Sequence, residues 1–269
     1  MSLFSVFYYL VLSFIYILAI PYLIFKSRNS KYRQAIPAKF FLKDNVPFKE
    51  NGIWFHSCSM GETKAIKPLI DNYLENANIS VITNTGFEEA KKISPNVRYL
   101  PFEIFLPFWV NKQKVLVVME AELWYLLFLF AKKKGAKTLL INARISDKSY
   151  KSYKRFSFFY KRIFQNIDKV FAQSEVDKHR LEELGASNVE VIGNIKLAQL
   201  PKVNVKLEKP KQVVITAAST HENEEKLVLN AYKKEQGKLI IVPRHPERFE
   251  KVDLQILEFI KDKDISYHK

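Results

Sequence analysis

The apolar residues of the chain form one long run followed by many short ones. The long run, 3–25, contains 23 residues without a charge and is rich in Leu, Ile, Phe and Tyr. At a rise of about 1.5 Å per residue, a helix of this length covers the roughly 30 Å hydrocarbon core of a bilayer. A signal peptide would have a basic start, a shorter apolar run and a small-residue cleavage site, which this segment lacks. We therefore predict an uncleaved membrane anchor over residues 1–25, kinked or ended near Pro21.

Beyond the anchor, short apolar runs alternate with amphipathic stretches of helical length. The runs predict strands at 53–58, 79–84, 97–102, 115–120, 137–143, 169–174 and 189–194. The stretches between them predict helices at 62–76, 87–93, 122–134, 150–166 and 175–184. Strands that are apolar on both faces and separated by helices indicate a parallel sheet covered on both sides. We therefore predict a doubly wound, Rossmann-like α/β domain over 26–199, with ligands at the carboxyl ends of its strands.

A second β/α series follows the segment 200–210, which has two prolines and no periodicity and is predicted to be a linker. The series predicts a strand at 212–217, a helix at 222–235, a strand at 238–243 and a helix at 247–261. The short stretch 265–267 could add a third strand. Because a nucleotide-binding half normally has five or six strands, we expect the second domain, 211–269, to be incomplete.

Composition adds a strong positive charge to this picture. The formal net charge is +15, and 48% of the residues are apolar, which excludes wholesale disorder and indicates an anionic partner. Four cations directly after the anchor place the bulk of the chain on the cytoplasmic side, opposite anionic lipid headgroups; they are Lys26, Arg28, Lys31 and Arg33. A nucleic-acid partner is not expected, since no nucleic-acid motif is found and the anchor argues against one. The single cysteine, Cys58, excludes an intrachain disulfide.

The first candidate site follows the first predicted strand. Ser59 and Glu62 have the S-x-x-E spacing of a capping box, which needs no function. Alternatively, Glu62 at the carboxyl end of the strand could remove a proton from an attacking hydroxyl. A second pair of carboxylates, Glu120 and Glu122, follows the fourth strand and could cap a helix, hold sugar hydroxyls or, least readily, bind a cation.

The third candidate site follows the fifth strand, where polar residues at a strand-to-helix turn could bind an anion; they are Asn142, Arg144, Ser146 and Ser149. The segment 148–162 then carries six cations interleaved with aromatic residues, a pattern that suits a phosphorylated lipid headgroup or an anionic membrane surface. Two further aromatic or apolar segments, 104–109 and 123–130, could pack in the core or contact acyl chains.

The fourth candidate site lies in the second domain. Ser219 and Glu222 again have capping-box spacing. Two loops on adjacent strand ends would bring together a set of side chains suited to a phosphate, unless the histidines are ordinary surface residues; the set is Ser219, Thr220, His221, Arg244 and His245.

Six strings in order resemble signature stretches of the Kdo (3-deoxy-D-manno-oct-2-ulosonic acid) transferases, which act on the lipid A precursor (lipid IVA). They are HSCSMGE (56–62), MEAELW (119–124), NARISDKS (142–149), GNIK (193–196), STHENEE (219–225) and VPRHPERF (242–249). The chain departs from the family pattern at Cys58, Ala121 and Asn223, where the family has a small aliphatic residue, Thr and Gly. It also lacks the later Gly-Glu-Leu and Gly-Gly-His-Asn loops of the family.

The resemblance implies a GT-B architecture of two Rossmann-like domains at the bacterial inner membrane. It implies transfer of Kdo from CMP-Kdo to the lipid A precursor with inversion, without a metal or other cofactor, and with Glu62 as the general base. Residues implied to bind the acceptor are Ser59, Gly61, Glu122, Asn142, Arg144, Ser146 and Ser149. Residues implied to bind the donor are Ser219, Thr220, His221, Glu224, Arg244 and His245. The alternative hypothesis is a truncated, non-catalytic protein that binds anionic lipid through its basic face.

Overall fold

The chain forms two compact units in a computed structural model, Met1–Pro201 and Lys202–Lys269. The structure describes residues 2–199, 211–233 and 236–268. The predicted linker, 200–210, lies outside these residues.

The first unit begins with the long helix α1 (Leu3–Ser27), whose first turn is capped by the Ser2 side chain accepting the N–H of Ser5. Pro21 lies inside α1, and the helix continues past it to Ser27 instead of ending there. By length and composition, α1 is the single helix in the described part of the chain that could cross a membrane. A short helix that the sequence pattern did not predict, α2 (Ala35–Phe41), follows it.

The core of the first unit is a seven-stranded sheet in which every pair of neighbours is parallel. The strands are β1 (Ile53–Ser57), β2 (Ala77–Val81), β3 (Val97–Tyr99), β4 (Val115–Met119), β5 (Lys137–Ala143), β6 (Lys169–Ala172) and β7 (Val189–Val191). Their order is β3-β2-β1-β4-β5-β6-β7, which is the order of a Rossmann-type sheet with one more strand. The predicted parallel α/β fold is therefore confirmed.

Helices cover both faces of this sheet. They are α3 (Met60–Asp71), α4 (Asn84–Lys91), α5 (Leu106–Trp109), α6 (Tyr125–Lys133), α7 (Asp147–Arg155), α8 (Ser157–Phe164) and α9 (Glu175–Glu183). Neighbouring strand residues point to opposite faces, so Trp54 joins the cluster under α6 and α8 while Phe55 joins the cluster under α3 and α4. Because the side chains on both faces of these strands are buried, nearly every strand position is apolar, which accounts for the continuous apolar runs in the sequence.

Several element boundaries differ from the sequence pattern by a few residues, and three of these differences have a structural consequence. The predicted helix 150–166 is two helices, α7 and α8, separated at Phe156. The strand predicted at 79–84 ends at Val81, because Thr83 caps α4 by accepting the N–H of Gly86. Helix α6 begins at Tyr125 without a side-chain cap, so helix capping, one of the alternatives considered for Glu120 and Glu122, does not occur.

The second unit contains two parallel strands, β8 (Val214–Thr220) and β9 (Lys238–Pro243), and two helices, α10 (Glu224–Ala231) and α11 (Phe249–Ile260). Residues 265–267 form no strand. The predicted capping box of Ser219 and Glu222 is wrong, since Ser219 lies in a bulge of β8 with φ +64°. Helix α10 begins two residues later, after Asn223, which is in the left-handed region at φ +72°.

Candidate functional site

The candidate site of the first unit lies where β1 and β4 are neighbours in the sheet. The strand order reverses direction at this pair, so the loops that leave β1 and β4 diverge and open a crevice at the carboxyl edge. The loop after β1 carries Ser59, Gly61 and Glu62, and the loop after β4 carries Glu120 and Glu122. The sheet thus brings together two predicted sites that are about 60 residues apart in the chain.

Glu62 is held by its own loop in a defined position. Its Oε2 accepts the backbone N–H of Cys58 at 2.8 Å, and its Oε1 accepts the Ser59 hydroxyl at 3.0 Å. Ser59 Oγ in turn accepts the N–H of Glu62 at 3.4 Å, which confirms Ser59 as the cap of α3, while the reciprocal bond of the predicted capping box goes to the N–H of Cys58. These bonds leave part of the carboxylate's acceptor capacity free, so the capping role does not exclude a catalytic one.

Burial raises the pKa of Glu62. The hydrogen bonds from Cys58 and Ser59 oppose this shift, while the nearby carboxylates of Glu120 and Glu122 add to it. A carboxylate with a raised pKa is a stronger base than an exposed one. The arrangement therefore suits removal of a proton from a hydroxyl placed at this edge.

Cys58 is the first residue of the loop after β1. Burial, followed by the carboxylates of Glu122 and Glu62, raises the pKa of its thiol to about 12. Because the thiolate is the reactive form, Cys58 is unsuited to act as a nucleophile. Lys39 donates from its Nζ to the carbonyl oxygen of Ile82 at 3.2 Å. Burial lowers the pKa of this amine.

Glu122 is held by a chain of side chains that starts in the core. Trp54 donates its indole N–H to Ser80 Oγ at 2.7 Å, and Ser80 Oγ lies 2.8 Å from Nδ1 of the fully buried His56. Nε2 of His56 has no hydrogen-bond partner in the described structure, and it lies 3.8 Å from Glu122 Oε2. Nδ1 also lies 3.1 Å from the carbonyl oxygen of Ser80, so Ser80 contacts the His56 ring through both its hydroxyl and its backbone.

The pKa of Glu122 lies below its ordinary value although burial raises it. Attraction to His56 and the hydrogen bond from Trp124 Nε1, at 2.7 Å, outweigh the effect of burial. Glu122 is therefore a fixed, ionised acceptor beside Glu62, which suits it to hold sugar hydroxyls.

Glu120 and Asn142 join β4 and β5 to the loop that follows β7. Both have positive φ, +57° and +53°. Lys196 Nζ lies 2.6 Å from Glu120 Oε1, and the fully buried Asn142 donates to the same oxygen at 3.3 Å. Asn142 Oδ1 also accepts the N–H of Ile195 at 3.0 Å. These polar groups are therefore committed to holding the 193–196 loop, and Asn142 contributes to the site through that loop.

Arg144, Ser146 and Ser149 lie at the exposed start of α7. Ser146 caps the helix, accepting the N–H of Ser149 at 3.2 Å, and the two hydroxyls are 3.0 Å apart. Arg144 is exposed and pairs with no acidic side chain that the structure describes. Lys148, Lys151 and Arg155 are exposed further along the same helix, which gives it a positive outer surface.

The second unit brings its predicted site residues to one edge of β8 and β9. Arg244 donates its N–H to the carbonyl oxygen of Thr220 at 3.1 Å, and the rings of His221 and His245 are 6.2 Å apart. Glu224 accepts the N–H of His221 at 2.7 Å. The side chains of Arg244, His221 and His245 are exposed, whereas Thr220 is buried and donates to Glu225 at 2.7 Å.

The sequence reasoning missed three groups. His56 and Lys196 stand inside the motif strings but carried no assigned role, because their partners are distant in the chain. The fully buried Glu225 forms two hydrogen bonds with Arg248, at 2.9 and 2.8 Å. In the sequence, a glutamate at a helix start and an arginine after the next strand give little indication that the two side chains form a pair.

Among the residues that the structure describes, no three His, Cys, Asp or Glu side chains are grouped as metal ligands.

A parallel sheet of this order, with carboxylates gathered at its topological switch point, defines a Rossmann-type α/β domain whose polar sheet edge is where ligands bind in this class of protein. The sequence profile of the 3-deoxy-D-manno-octulosonic-acid transferases matches residues 28–199. The chain belongs to this family, and the predicted resemblance is confirmed.

Curated relatives agree with this assignment. A bifunctional glycosyltransferase/methyltransferase of Fusobacterium nucleatum is 33% identical over 245 residues, which cover 82% of this chain and 38% of the relative. A 3-deoxy-D-manno-octulosonic acid transferase of Rickettsia bellii is 34% identical over 226 residues, which cover 74% of this chain and 53% of the relative. The chain thus spans about half the length of the curated relatives it matches, or less.

Among solved structures, a glycosyltransferase from Rickettsia africae is 15% identical over 80% of this chain and 66% of its own. The TM-score is 0.42, which is too low to support a fold assignment.

Proposed function

We propose that the protein acts in the transfer of Kdo from CMP-Kdo to the lipid A precursor. Family membership supports the class of reaction. The observation that carries the chemistry is the position of Glu62 at the switch point of the sheet, where burial raises the pKa of its carboxyl.

Glu62 would act as the general base. Its carboxylate takes the proton of an acceptor hydroxyl, and the hydroxyl oxygen attacks the anomeric carbon of Kdo. The bond from that carbon to the CMP phosphate breaks, and CMP leaves with the bonding electrons. A single displacement of this kind inverts the anomeric centre, and no metal takes part in it. Ser59 positions Glu62, and a Cβ at Gly61 would meet no atom within 4 Å apart from its chain neighbours and the backbone of α3, so space is open beside the start of this helix.

Acceptor and donor would be bound by the two sets of predicted residues. Glu122 would accept sugar hydroxyls, while Arg144 and the capped start of α7 at Ser146 and Ser149 would face phosphates of the acceptor. Arg244, His221 and His245 would bind the CMP phosphate, with Ser219, Thr220 and Glu224 shaping the loop around them.

Membrane association would bring the protein to its acylated acceptor. Support comes from the apolar helix α1 and from the cations that follow it, Lys26 to Arg33. A bacterial inner membrane with the globular units on the cytoplasmic side agrees with these cations.

Replacement of Glu62 tests the chemistry. Membranes containing the chain are supplied with CMP-Kdo and lipid A precursor, and CMP release and acceptor mass are measured. Glu62→Gln keeps the capping box, because Gln serves equally at that position, and should lower transfer by about 10²- to 10⁴-fold. The control is Glu75→Gln, an exposed glutamate in the first unit, which should leave transfer unchanged.

Normal turnover by Glu62→Gln would remove this residue from the chemistry. If the unaltered chain shows no transfer but binds anionic vesicles in a salt-dependent way, the result favours the alternative, a non-catalytic lipid-binding protein.

A further inference from the structure

One face of α1 is packed against the globular part of the first unit. Ser5 Oγ lies 2.8 Å from the hydroxyl of Tyr125, and the Tyr8 hydroxyl donates to Glu103 Oε2 at 2.6 Å. Further along, the Tyr16 hydroxyl donates to the carbonyl oxygen of Phe40 at 2.5 Å. The three contacting residues are three and eight positions apart, close to one and two helical turns, so they lie along one side of the helix.

The packed face extends over most of the helix length. Ser5 is 1% exposed near one end and Leu23 is 7% exposed near the other, and at about 1.5 Å per residue they are roughly 27 Å apart. At the first end, the Arg162 guanidinium carbon lies 4.3 Å from the centre of the Phe4 ring. A single globular unit therefore touches α1 near both of its ends.

The opposite face of α1 is apolar and uncovered. Phe7, Phe14, Leu18 and Phe25 are each between 63% and 71% exposed. Their spacing of seven, four and seven residues places them on one stripe. The stripe continues into a groove of about 370 Å³ between α1 and α8, lined by Phe7, Val11, Phe156 and Phe158 among others.

We propose that α1 lies in the plane of the membrane interface, with this stripe toward the acyl chains, and does not cross the bilayer. A crossing helix would place Ser5 and Leu23 at opposite surfaces of the membrane, yet the same unit contacts both. Crossing would therefore require α1 to leave the unit or the unit to enter the hydrocarbon core.

Neither alternative agrees with the contacts. If α1 left the unit, the buried carboxylate of Glu103 would lose the hydrogen bond from the Tyr8 hydroxyl. Immersion would bring Lys161 and Arg162 of α8 into hydrocarbon, although charged side chains are rare there.

Cations near both ends of the helix support the in-plane arrangement. Lys26 and Arg28 stand at the carboxyl end, and Arg162 stands at the amino end through its contact with Phe4. An interfacial helix with cations beside its apolar face meets anionic headgroups along its whole length. The proposal rests on membrane association but not on sugar transfer.

Depth measurements along the stripe test the proposal. Phe7→Cys, Phe14→Cys, Leu18→Cys and Phe25→Cys are made in the full chain in a Cys58→Ser background. Each variant is labelled with a fluorophore and reconstituted in vesicles that contain 30% anionic lipid. Nitroxide lipids with the spin label near the headgroup or near the end of the acyl chain then quench the fluorescence.

We expect all four positions to be quenched alike, and more strongly by the shallow nitroxide. Leu12→Cys, on the packed face, should be quenched least.

A crossing helix gives a different pattern, in which the deep nitroxide quenches positions 14 and 18 most and positions 7 and 25 least. That pattern would overturn the proposed orientation. If no position is quenched, the chain does not associate with the membrane, and the proposal is overturned. Loss of sugar transfer would change neither the quenching pattern nor the membrane association.

Sidedness provides a second readout. Ser2→Cys at the start of α1 and Ser187→Cys on the exposed surface of the globular unit are expressed in a bacterial host, again without Cys58. In sealed spheroplasts, a membrane-impermeant maleimide should label neither position until the cells are lysed. Labelling of Ser2→Cys alone before lysis would show that the helix crosses.

Discussion

Individual residues of the site combine structural and chemical roles. Glu62 accepts the N–H of Cys58 before α3 and also presents a carboxylate of raised pKa at the sheet edge. Its neighbour Glu122 has a lowered pKa because of His56 and Trp124, although burial acts against this. Two carboxylates in one crevice thus differ in proton affinity because their surroundings differ, which fits one as base and the other as a hydrogen-bond acceptor.

The pKa of Glu62 predicts the pH dependence of transfer. Only the ionised carboxylate can take a proton, so the rate should fall as pH decreases through the pKa of Glu62. Because burial raises this pKa, the acidic limb of the rate profile should lie above the ordinary value of 4.5. The measurement is initial CMP release between pH 4 and 8. A limb at or below 4.5 would contradict the assignment.

Ser80 should be more important for stability than its position in a strand suggests. Ser80→Ala removes the acceptor of the buried Trp54 N–H and one of the two partners of His56 Nδ1, which keeps the carbonyl oxygen of residue 80. Each buried group left without a partner costs about 1–3 kcal/mol. Chemical denaturation in detergent should show this loss, while the exposed Ser187→Ala should change the free energy of unfolding little. Equal stability of the two variants would argue against the Trp54–Ser80–His56 chain.

Among the elements, α7 depends on a local cap. Ser146→Ala removes the side chain that accepts the Ser149 N–H and should cost about 0.5–2 kcal/mol. Ser152→Ala, an exposed position within the same helix, should be neutral or slightly stabilising because Ala favours helix. Thermal melting of the two variants distinguishes the cap from a general effect of losing a hydroxyl.

The elements of the second unit are joined by the buried pair of Glu225 in α10 and Arg248 before α11. Arg248→Met leaves the Glu225 carboxylate buried without its cation and should cost about 3–5 kcal/mol. The exposed pair of Lys251 and Glu222 serves as control, and Lys251→Met should leave the free energy of unfolding almost unchanged.

The same pair predicts acid sensitivity. Burial raises the pKa of Glu225, but the hydrogen bonds from Arg248 and Thr220 outweigh burial, so its pKa in the folded unit lies below 4.5. A depressed pKa stabilises the fold above the unfolded value, and this stability is lost as pH falls through the folded pKa. The free energy of unfolding of the second unit should therefore be steady from pH 7 to about 4.5 and should fall as the pH is lowered further towards 3.

For the whole molecule, Glu103 connects α1 to the sheet domain. It accepts the Tyr8 hydroxyl and, at 2.6 Å, the N–H of Leu126, while burial raises its pKa to about 7. Because the folded state binds the proton more tightly than the unfolded state does, stability should decrease as pH rises from about 4.5 to above 7.

Glu103→Gln isolates this effect. The amide can still accept the Leu126 N–H and contact the Tyr8 hydroxyl, so α1 should remain docked. The melting temperature of the unaltered protein should fall between pH 6 and 8, and that of Glu103→Gln should fall less. An identical pH dependence in both proteins would show that Glu103 does not titrate in this range.

Local sequence determined most of the elements and one of the caps. The strands follow from apolar runs that are buried on both faces, and α1 follows from 23 uncharged residues. The capping box of Ser59 and Glu62 could be predicted because all of its hydrogen bonds lie within four residues. The same reasoning was wrong for Ser219 and Glu222, since a bulge with positive φ at Ser219 delays the start of α10.

Tertiary structure decided which distant side chains meet. Ser5 reaches Tyr125 across 120 positions, Tyr8 reaches Glu103 across 95, and His56 reaches Ser80 across 24. These contacts depend on the order of the strands and on the face against which α1 packs, and neither is encoded in the local period of apolar residues. The sequence by itself thus determined that the chain has an apolar helix and a parallel sheet with carboxylates at its edge. The packing of that helix along the domain, which is the basis for placing it in the membrane plane, became apparent only from the tertiary structure.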